Sequence, residues 1–269
     1  MFGIAALPMY DFPHLREAHD QLWKSIGRIL EATGLEHVPP ELTRGGNLQE
    51  MWRSPDLLLG QTCGFPLAKE LGRSVQLVAT PKYTAEGCRR TFYRSCIVVR
   101  RDEASETLAD MRGKICALNE WSSNSGMNAF RAAIAPLACG QSFFADVVVT
   151  GSHAESLRSV AEGVADIAAI DCVTFHHLKL AAPDLVSAVR VLCWTRESPA
   201  LPLVTSASTS KSTLAALRFA LSEVSFAPDL KHVREQLQIS GFELVSFDEY
   251  QPILEMERYA ERLRYPKIC

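Results

Sequence analysis

Ser122-Ser123-Asn124-Ser125-Gly126 and Thr150-Gly151-Ser152-His153 are the two stretches on which the reading of this chain turns. Each lies between a strand-like apolar run (Lys114 to Leu118, and Val147-Val148-Val149) and a helix-like run. Each fills the junction with small hydroxyl residues and a glycine. The first amides of a helix have no partner inside it and the dipole end there is positive, so serine hydroxyls added to them make a junction suited to an anion. Plain N-capping accounts for one such junction, because Ser and Asn are preferred caps. Several in one chain shift the balance toward a site.

Outward from these junctions, strands and helices alternate. Upstream, Gly3 to Tyr10 reads as a strand, and Leu15, Ala18, Leu22, Ile26, Ile29 and Leu30 recur at helical spacing until Gly34. Asp56 to Gly60, Val75 to Ala79 and Phe92 to Arg100 read as strands, and Pro66 sits in the first turn of a helix that follows Gln61-Thr62-Cys63-Gly64. Downstream, Met127, Phe130, Ile134 and Leu137 mark a helix ended by Gly140. Ser152-His153-Ala154-Glu155 has the form of a capping box, and Ala165 to Ile170 is a strand delivering Asp171. Val189 to Cys193, Leu201 to Ser206 and Phe242 to Val245 are extended, with helices at Ser212 to Ser225, His232 to Leu237 and Glu249 to Arg264. This alternation predicts an α/β fold of two lobes, each a mostly parallel sheet flanked by helices. Arg100–Ser105 and Thr195–Ala200 read as the boundaries. Residues 1–100 plus 195–269 then form a discontinuous first lobe, and 101–194 the second.

The bulk numbers fit this. At 269 residues, with 47% hydrophobic and 22% charged, the chain can hold two globular α/β units. A net charge of −3 with scattered basic residues gives no footprint for nucleic acid, and no apolar run reaches membrane-spanning length. The opening Met1-Phe2-Gly3-Ile4-Ala5-Ala6-Leu7-Pro8 has no basic region or cleavage segment. The chain as written therefore reads as cytoplasmic, or as periplasmic with its signal already removed. The eight cysteines lack metal-ligand spacing, and most read as buried small hydrophobes in a reducing compartment, with a Cys88–Cys96 bridge left open. Neither metal nor cofactor is called for.

Ligands of open parallel sheets gather outside the carboxyl ends of the strands. The strand ends here are Pro8-Met9-Tyr10, Gln61-Thr62-Cys63-Gly64, Tyr93-Arg94-Ser95, Ser122 to Gly126, Thr150 to His153, and Asp171. They are polar and aromatic and hold no string of catalytic acids and bases.

In order along residues 1 to 210, Asp56-Leu57-Leu58-Leu59-Gly60-Gln61-Thr62, Asp110-Met111-Arg112-Gly113-Lys114, Ser123-Asn124-Ser125-Gly126, Gly151-Ser152-His153-Ala154-Glu155-Ser156 and Gly163-Val164-Ala165-Asp166-Ile167-Ala168-Ala169-Ile170-Asp171 resemble the phosphonate/phosphate-binding (PhnD-like) solute-binding proteins of ABC transporters. The resemblance implies a type II periplasmic-binding-protein fold with a hinge and a central cleft, a small anionic or zwitterionic ligand, an ABC permease as partner, a monomer, and no catalysis. It implies that Ser122, Ser123, Asn124, Ser125 and Gly126 hold phosphonate or phosphate oxygens, helped by Ser152 and His153. Tyr10 and Tyr93 match its aromatic lining, and Asp171 matches a carboxylate that meets a positive ligand group. Gln61, Thr62 and Cys63 stand where first-lobe contacts are expected, a departure that leaves the ligand's identity open.

Bland roles compete with these. His153 can simply pack at its helix end, although a nearby anion favours its charged form. Asp171 fits a cap of the turn from Thr174 to Lys179 as well as a ligand contact, and Arg94 fits the surface. His176-His177 cannot face one metal from a regular helix. Two other readings remain. One is a cytosolic sensor or cofactor-precursor enzyme on the same fold. The other is a thiol enzyme in which Cys63, at a helix start, is activated and His153 is its base.

Overall fold

Twelve strands form among residues 3–269, the part of the chain that the computed structural model describes. They are β1 (Ile4–Ala6), β2 (Leu57–Gln61), β3 (Val75–Tyr83), β4 (Phe92–Tyr93), β5 (Ser95–Arg100) and β6 (Ile115–Leu118). The remainder are β7 (Asp146–Val149), β8 (Ile167–Asp171), β9 (Val189–Trp194), β10 (Ser198–Pro199), β11 (Leu203–Ser206) and β12 (Ile239–Glu243). The chain divides into two units. The first holds residues up to Thr84, Arg89–Thr91 and Ala200–Glu249; the second holds Ala85–Cys88, Phe92–Pro199 and Tyr250–Cys269.

In the first unit the sheet order is β1-β2-β11-β3-β12, with β1 parallel to β2, β11 antiparallel to both its neighbours, and β12 antiparallel to β3. The helix Arg16–Ala32 buries Ala18, Leu22, Ile26 and Leu30 of the stripe expected from its spacing, with Trp23 beside them, while Ile29 is half-buried, and it packs against the helix Lys211–Phe226. Gly34, at φ +84°, follows its end. β1 is shorter than the sequence suggests, because a 3-10 turn takes over at Pro8.

In the second unit the order is β7-β6-β8-β5-β9. β7, β6 and β8 run parallel, β5 lies antiparallel to β8, and β9 antiparallel to β5. Cys96 to Val99 and Ile167 to Ala168 are essentially inaccessible, so the middle of this sheet is its core. The helix Gln251–Arg262 packs on the helix Ala129–Ala138, burying Ile253, Met256 and Ala260.

Both sheets depart from a purely parallel arrangement: in the first, β11 and β12 run against β1, β2 and β3, and in the second, β5 runs against the other four strands. The division of the chain also differs from the one drawn from charge and proline. β5 belongs to the second unit's sheet instead of ending the first lobe, and everything from Tyr250 onward belongs to the second unit. An apolar run such as Ile97-Val98-Val99 says that a strand is buried, not in which sheet.

Candidate functional site

Because β6, β7 and β8 run parallel, their carboxyl ends lie on one edge of the second unit's sheet, and each feeds a helix N-terminus there. After β6 the chain turns so that the Ser123 N–H donates to the Glu120 carbonyl at 3.2 Å. Ser123 is extended, and its Oγ accepts the Gly126 N–H at 3.0 Å. The helix opens with a π-helical turn, Asn124–Asn128, and continues as the α-helix Ala129–Ala138. Such wide turns recur at functional sites.

After β7, Gly151 adopts φ +87°, a conformation that favours glycine. Ser152 Oγ then accepts the Glu155 N–H at 3.1 Å to start the helix His153–Ala161. The reciprocal half of the capping box is replaced, since the Glu155 carboxylate pairs with Arg158 at 3.5 Å. The two junctions are stitched together. The Thr150 N–H donates to the Leu118 carbonyl at 2.8 Å, the Gly151 N–H to the Asn119 carbonyl at 2.9 Å, and Ser125 Oγ lies 2.8 Å from His153 Nε2.

After β8, Asp171 Oδ1 accepts the Val173 and Thr174 amides at 2.8 and 2.9 Å and caps the helix Cys172–Ala181. Its neighbour in the sheet, Ser95, donates through Oγ to the Ser125 carbonyl at 3.0 Å.

Gly126 is at the centre of the crowding. A Cβ there would sit 1.9 Å from Asn119 Oδ1 and 3.0 Å from His153 Cε1. Asn119 Oδ1 and His153 Nδ1 are both buried and have no hydrogen-bond partner. Burial pushes the His153 imidazole down to about 4, with the Ala169 backbone only partly opposing it, so the ring is neutral at pH 7. No residue of the two junctions carries a positive charge, so what they offer an anion is amides, hydroxyls and helix dipoles.

Behind the first junction runs a buried polar chain. Asn124 Nδ2 donates to Ser198 Oγ at 2.8 Å and to Tyr93 Oη at 3.2 Å. Asn128 Nδ2 donates to Asn124 Oδ1 at 3.2 Å, and Arg131 to Asn128 Oδ1 at 2.8 Å. Asn124 and Tyr93 are thus internal, at 0% and 1% exposure. Ser122 is half-buried, with its Oγ donating to the Glu120 carboxylate at 3.3 Å.

Of the expected site residues, Ser122 to Gly126, Ser152, His153, Asp171 and Tyr93 all belong to the second unit. Tyr10, Gln61 and Thr62 belong to the first and are buried there. Tyr10 meets Tyr83 edge-on at 5.3 Å, and Gln61 Nε2 donates to Tyr83 Oη at 2.8 Å. The Thr62 N–H donates to the Pro202 carbonyl at 3.1 Å. Cys63 precedes a short helical turn, Gly64–Pro66, without capping it through its side chain. Sequence reasoning missed Asn119, Tyr83 and the stripe by which Asn124 continues to Asn128 and Arg131, and it named Ser95 only as part of a strand end. The stripe alone had a signal, polar residues at helical spacing in an otherwise apolar helix.

Cys88 does not approach Cys96 as a bridge would require. Its Sγ lies 3.4 Å from that of Cys172, while Cys96 donates to the Ile170 carbonyl. Among the described residues no group of three or more His, Cys, Asp or Glu side chains could hold a metal ion.

Residues 54–250, well over half of the chain, match the family of periplasmic substrate-binding proteins of phosphonate ABC transporters. No curated protein matches significantly. Among solved structures, a binding-protein component of an ABC phosphonate transporter from Pseudomonas aeruginosa superposes with a TM-score of 0.76 at 17% identity, over 98% of this chain and 88% of that one. PhnD1 of Prochlorococcus marinus, in complex with methylphosphonate, gives 0.74 at 15% identity, over 96% and 98%. XAC2383 of Xanthomonas citri, solved with ATP, gives 0.73 at 16% identity, over 98% of both chains. At these identities the likeness is one of fold, the two-lobed α/β fold of periplasmic binding proteins.

Proposed function

Because this chain belongs to the periplasmic substrate-binding protein family of phosphonate ABC transporters, we propose that its second unit holds the oxygens of a phosphonate or phosphate at the paired helix N-termini Ser122–Gly126 and Ser152–His153. Proteins of this family bind solute and do not turn it over, which removes the Cys63 thiol enzyme and the cofactor-precursor enzyme as readings. The observation that carries the proposal is the 2.8 Å contact of Ser125 Oγ with His153 Nε2, which brings two positive helix ends to one place.

In this reading His153 acts as a neutral donor. With its proton on Nε2 it donates to Ser125 Oγ, and the Ser125 hydroxyl proton turns outward to the ligand. Ser123 Oγ accepts from Gly126 and keeps its own proton to donate. Asp171, whose Oδ1 caps its helix, is the carboxylate proposed to meet a cationic ligand group. A permease is the proposed partner and the periplasm the proposed compartment. No helix among the described residues is long and apolar enough to cross a membrane.

Calorimetry with methylphosphonate and with inorganic phosphate tests this. Ser125→Ala removes a hydrogen bond to a charged group, for which about 1.5–3 kcal/mol is usual, so at least about tenfold weaker binding is expected. His153→Gln retains a donor and is expected to bind more tightly than His153→Ala. Unchanged dissociation constants for Ser125→Ala with every ligand that the wild type binds would refute the site.

A further inference from the structure

Cys88 and Cys172 are both unbridged, with sulfurs 3.4 Å apart although 84 residues separate them. The second unit builds this approach from several sides. Cys172 is the first residue of the helix Cys172–Ala181, directly after Asp171. Cys88 closes a turn in which its N–H donates to the Ala85 carbonyl at 2.9 Å. Glu86 in that turn pairs with Lys179 of the same helix at 3.4 Å. Gly87, at φ +95°, lets the turn lie close, since a Cβ there would come within 2.5 Å of the Trp194 ring and 3.2 Å of Cys172 Cβ. This turn packs in the second unit, although the chain on either side of it, up to Thr84 and from Arg89, belongs to the first.

We propose that Cys88 and Cys172 are an oxidisable dithiol that closes to a disulfide by exchange with a disulfide oxidant, stapling the segment Ala85–Cys88 to the carboxyl end of β8. The sulfurs must approach from 3.4 Å to about 2.05 Å, a small movement for a four-residue turn. In the first step the half-buried Cys88 thiolate attacks one sulfur of the oxidant, its S–S bond breaks, and one thiolate leaves. In the second, Cys172 loses its proton to solvent and attacks Cys88 Sγ, expelling the other oxidant thiolate. The two cysteines give up two electrons and two protons, and the oxidant is reduced to two thiols. Hydrogen bonding with Cys88, burial and the Asp171 charge hold the Cys172 proton firmly, so the closing step speeds up as pH rises. Cys96 and Cys116, both at 0% exposure, are out of reach of an oxidant.

The test is to incubate the full chain with oxidised glutathione at mildly alkaline pH, unfold it without reductant, alkylate, and map the peptides by mass spectrometry. The expected result is one cross-linked pair containing Cys88 and Cys172, with the buried Cys96 and Cys116 alkylated and the exposed Cys139 and Cys269 alkylated or carrying glutathione. Cys172→Ser is expected to stall with glutathione on Cys88, and Cys88→Ser to leave Cys172 reduced. Cys88 and Cys172 uncrosslinked after prolonged exposure would overturn the proposal. So would a bridge between any other pair, or wild-type protein that keeps glutathione on Cys88 without closing. The wild-type map decides the matter even if a serine variant fails to fold.

Discussion

The junctions after β6 and β7 use the same cap and differ in almost everything else. In each, a serine Oγ accepts the N–H three residues on, at 3.0 Å for Ser123 and 3.1 Å for Ser152. Ser123 is buried, whereas Ser152 is exposed. The glycines differ in kind. Gly126 has an ordinary backbone and no room, while Gly151 has room and a left-handed backbone. A cap is a local device and its sequence signature repeats. What surrounds it is set by packing, and only the first junction is enclosed by the protein.

The largest expected effect separates the two glycines. Gly126→Ala sets a methyl 1.9 Å from Asn119 Oδ1, with His153 beside it, so backbone or neighbours must move. A loss of about 3 kcal/mol is expected, near the upper end for overpacking, with phosphonate binding lost as well. Gly151→Ala meets nothing within 4 Å and bears only its φ of +87°, a cost of about 1–2 kcal/mol. Urea unfolding of the two variants measures the difference. Equal losses would mean that the enclosure of the first junction is not what distinguishes it.

His153 gives the next effect, because it starts the exposed helix but places its ring against the enclosed one. Its folded value of about 4 lies below the ordinary 6.5. Between these values the unfolded chain takes up a proton that the folded chain refuses. Stability is therefore full above pH 6.5, falls as pH drops toward 4, and levels off below that. The ceiling for such a shift is about 3 kcal/mol. His153→Gln is expected to flatten the part of this slope that remains after the smaller contributions of His14 and His176, whose values are also lowered by burial. An unchanged slope would place the ring in water.

This comparison also shows where the sequence is readable. Strand, hydroxyl cap and helix sit within ten residues of each other at both junctions, so short-range chemistry reveals them, and Gly34 marks its helix end for the same reason. The Ser125–His153 contact spans 28 residues and depends on β6 and β7 being adjacent, which the resemblance supplied and the local pattern did not. Asn119 carried no signal, because its importance arises from the missing side chain at Gly126. Tyr83 escaped notice because β3 runs four residues past Ala79, through Pro81, to pair with β12. The unit boundaries were misdrawn because Ile253, Met256 and Ala260 give a helix an apolar face suited to any partner, and only the fold assigns it to the helix Ala129–Ala138.

The smallest effect concerns the caps themselves. Replacing a capping serine by alanine costs about 0.5–2 kcal/mol, and the environment decides where in that range each falls. At Ser152 water can reach the freed Glu155 amide, which leaves Ser152→Ala near the low end. At Ser123 the Gly126 amide is buried beneath Asn119 and His153, and no solvent replaces the lost acceptor, so Ser123→Ala belongs near the high end. The two variants share one chemical change, and their difference in unfolding free energy isolates burial from capping. A difference of about 1 kcal/mol in the stated direction is expected. If Ser152→Ala proved the costlier, the second junction would be the one on which the edge of the sheet depends, and the ligand oxygens would have to be sought nearer Ser152 than Ser123.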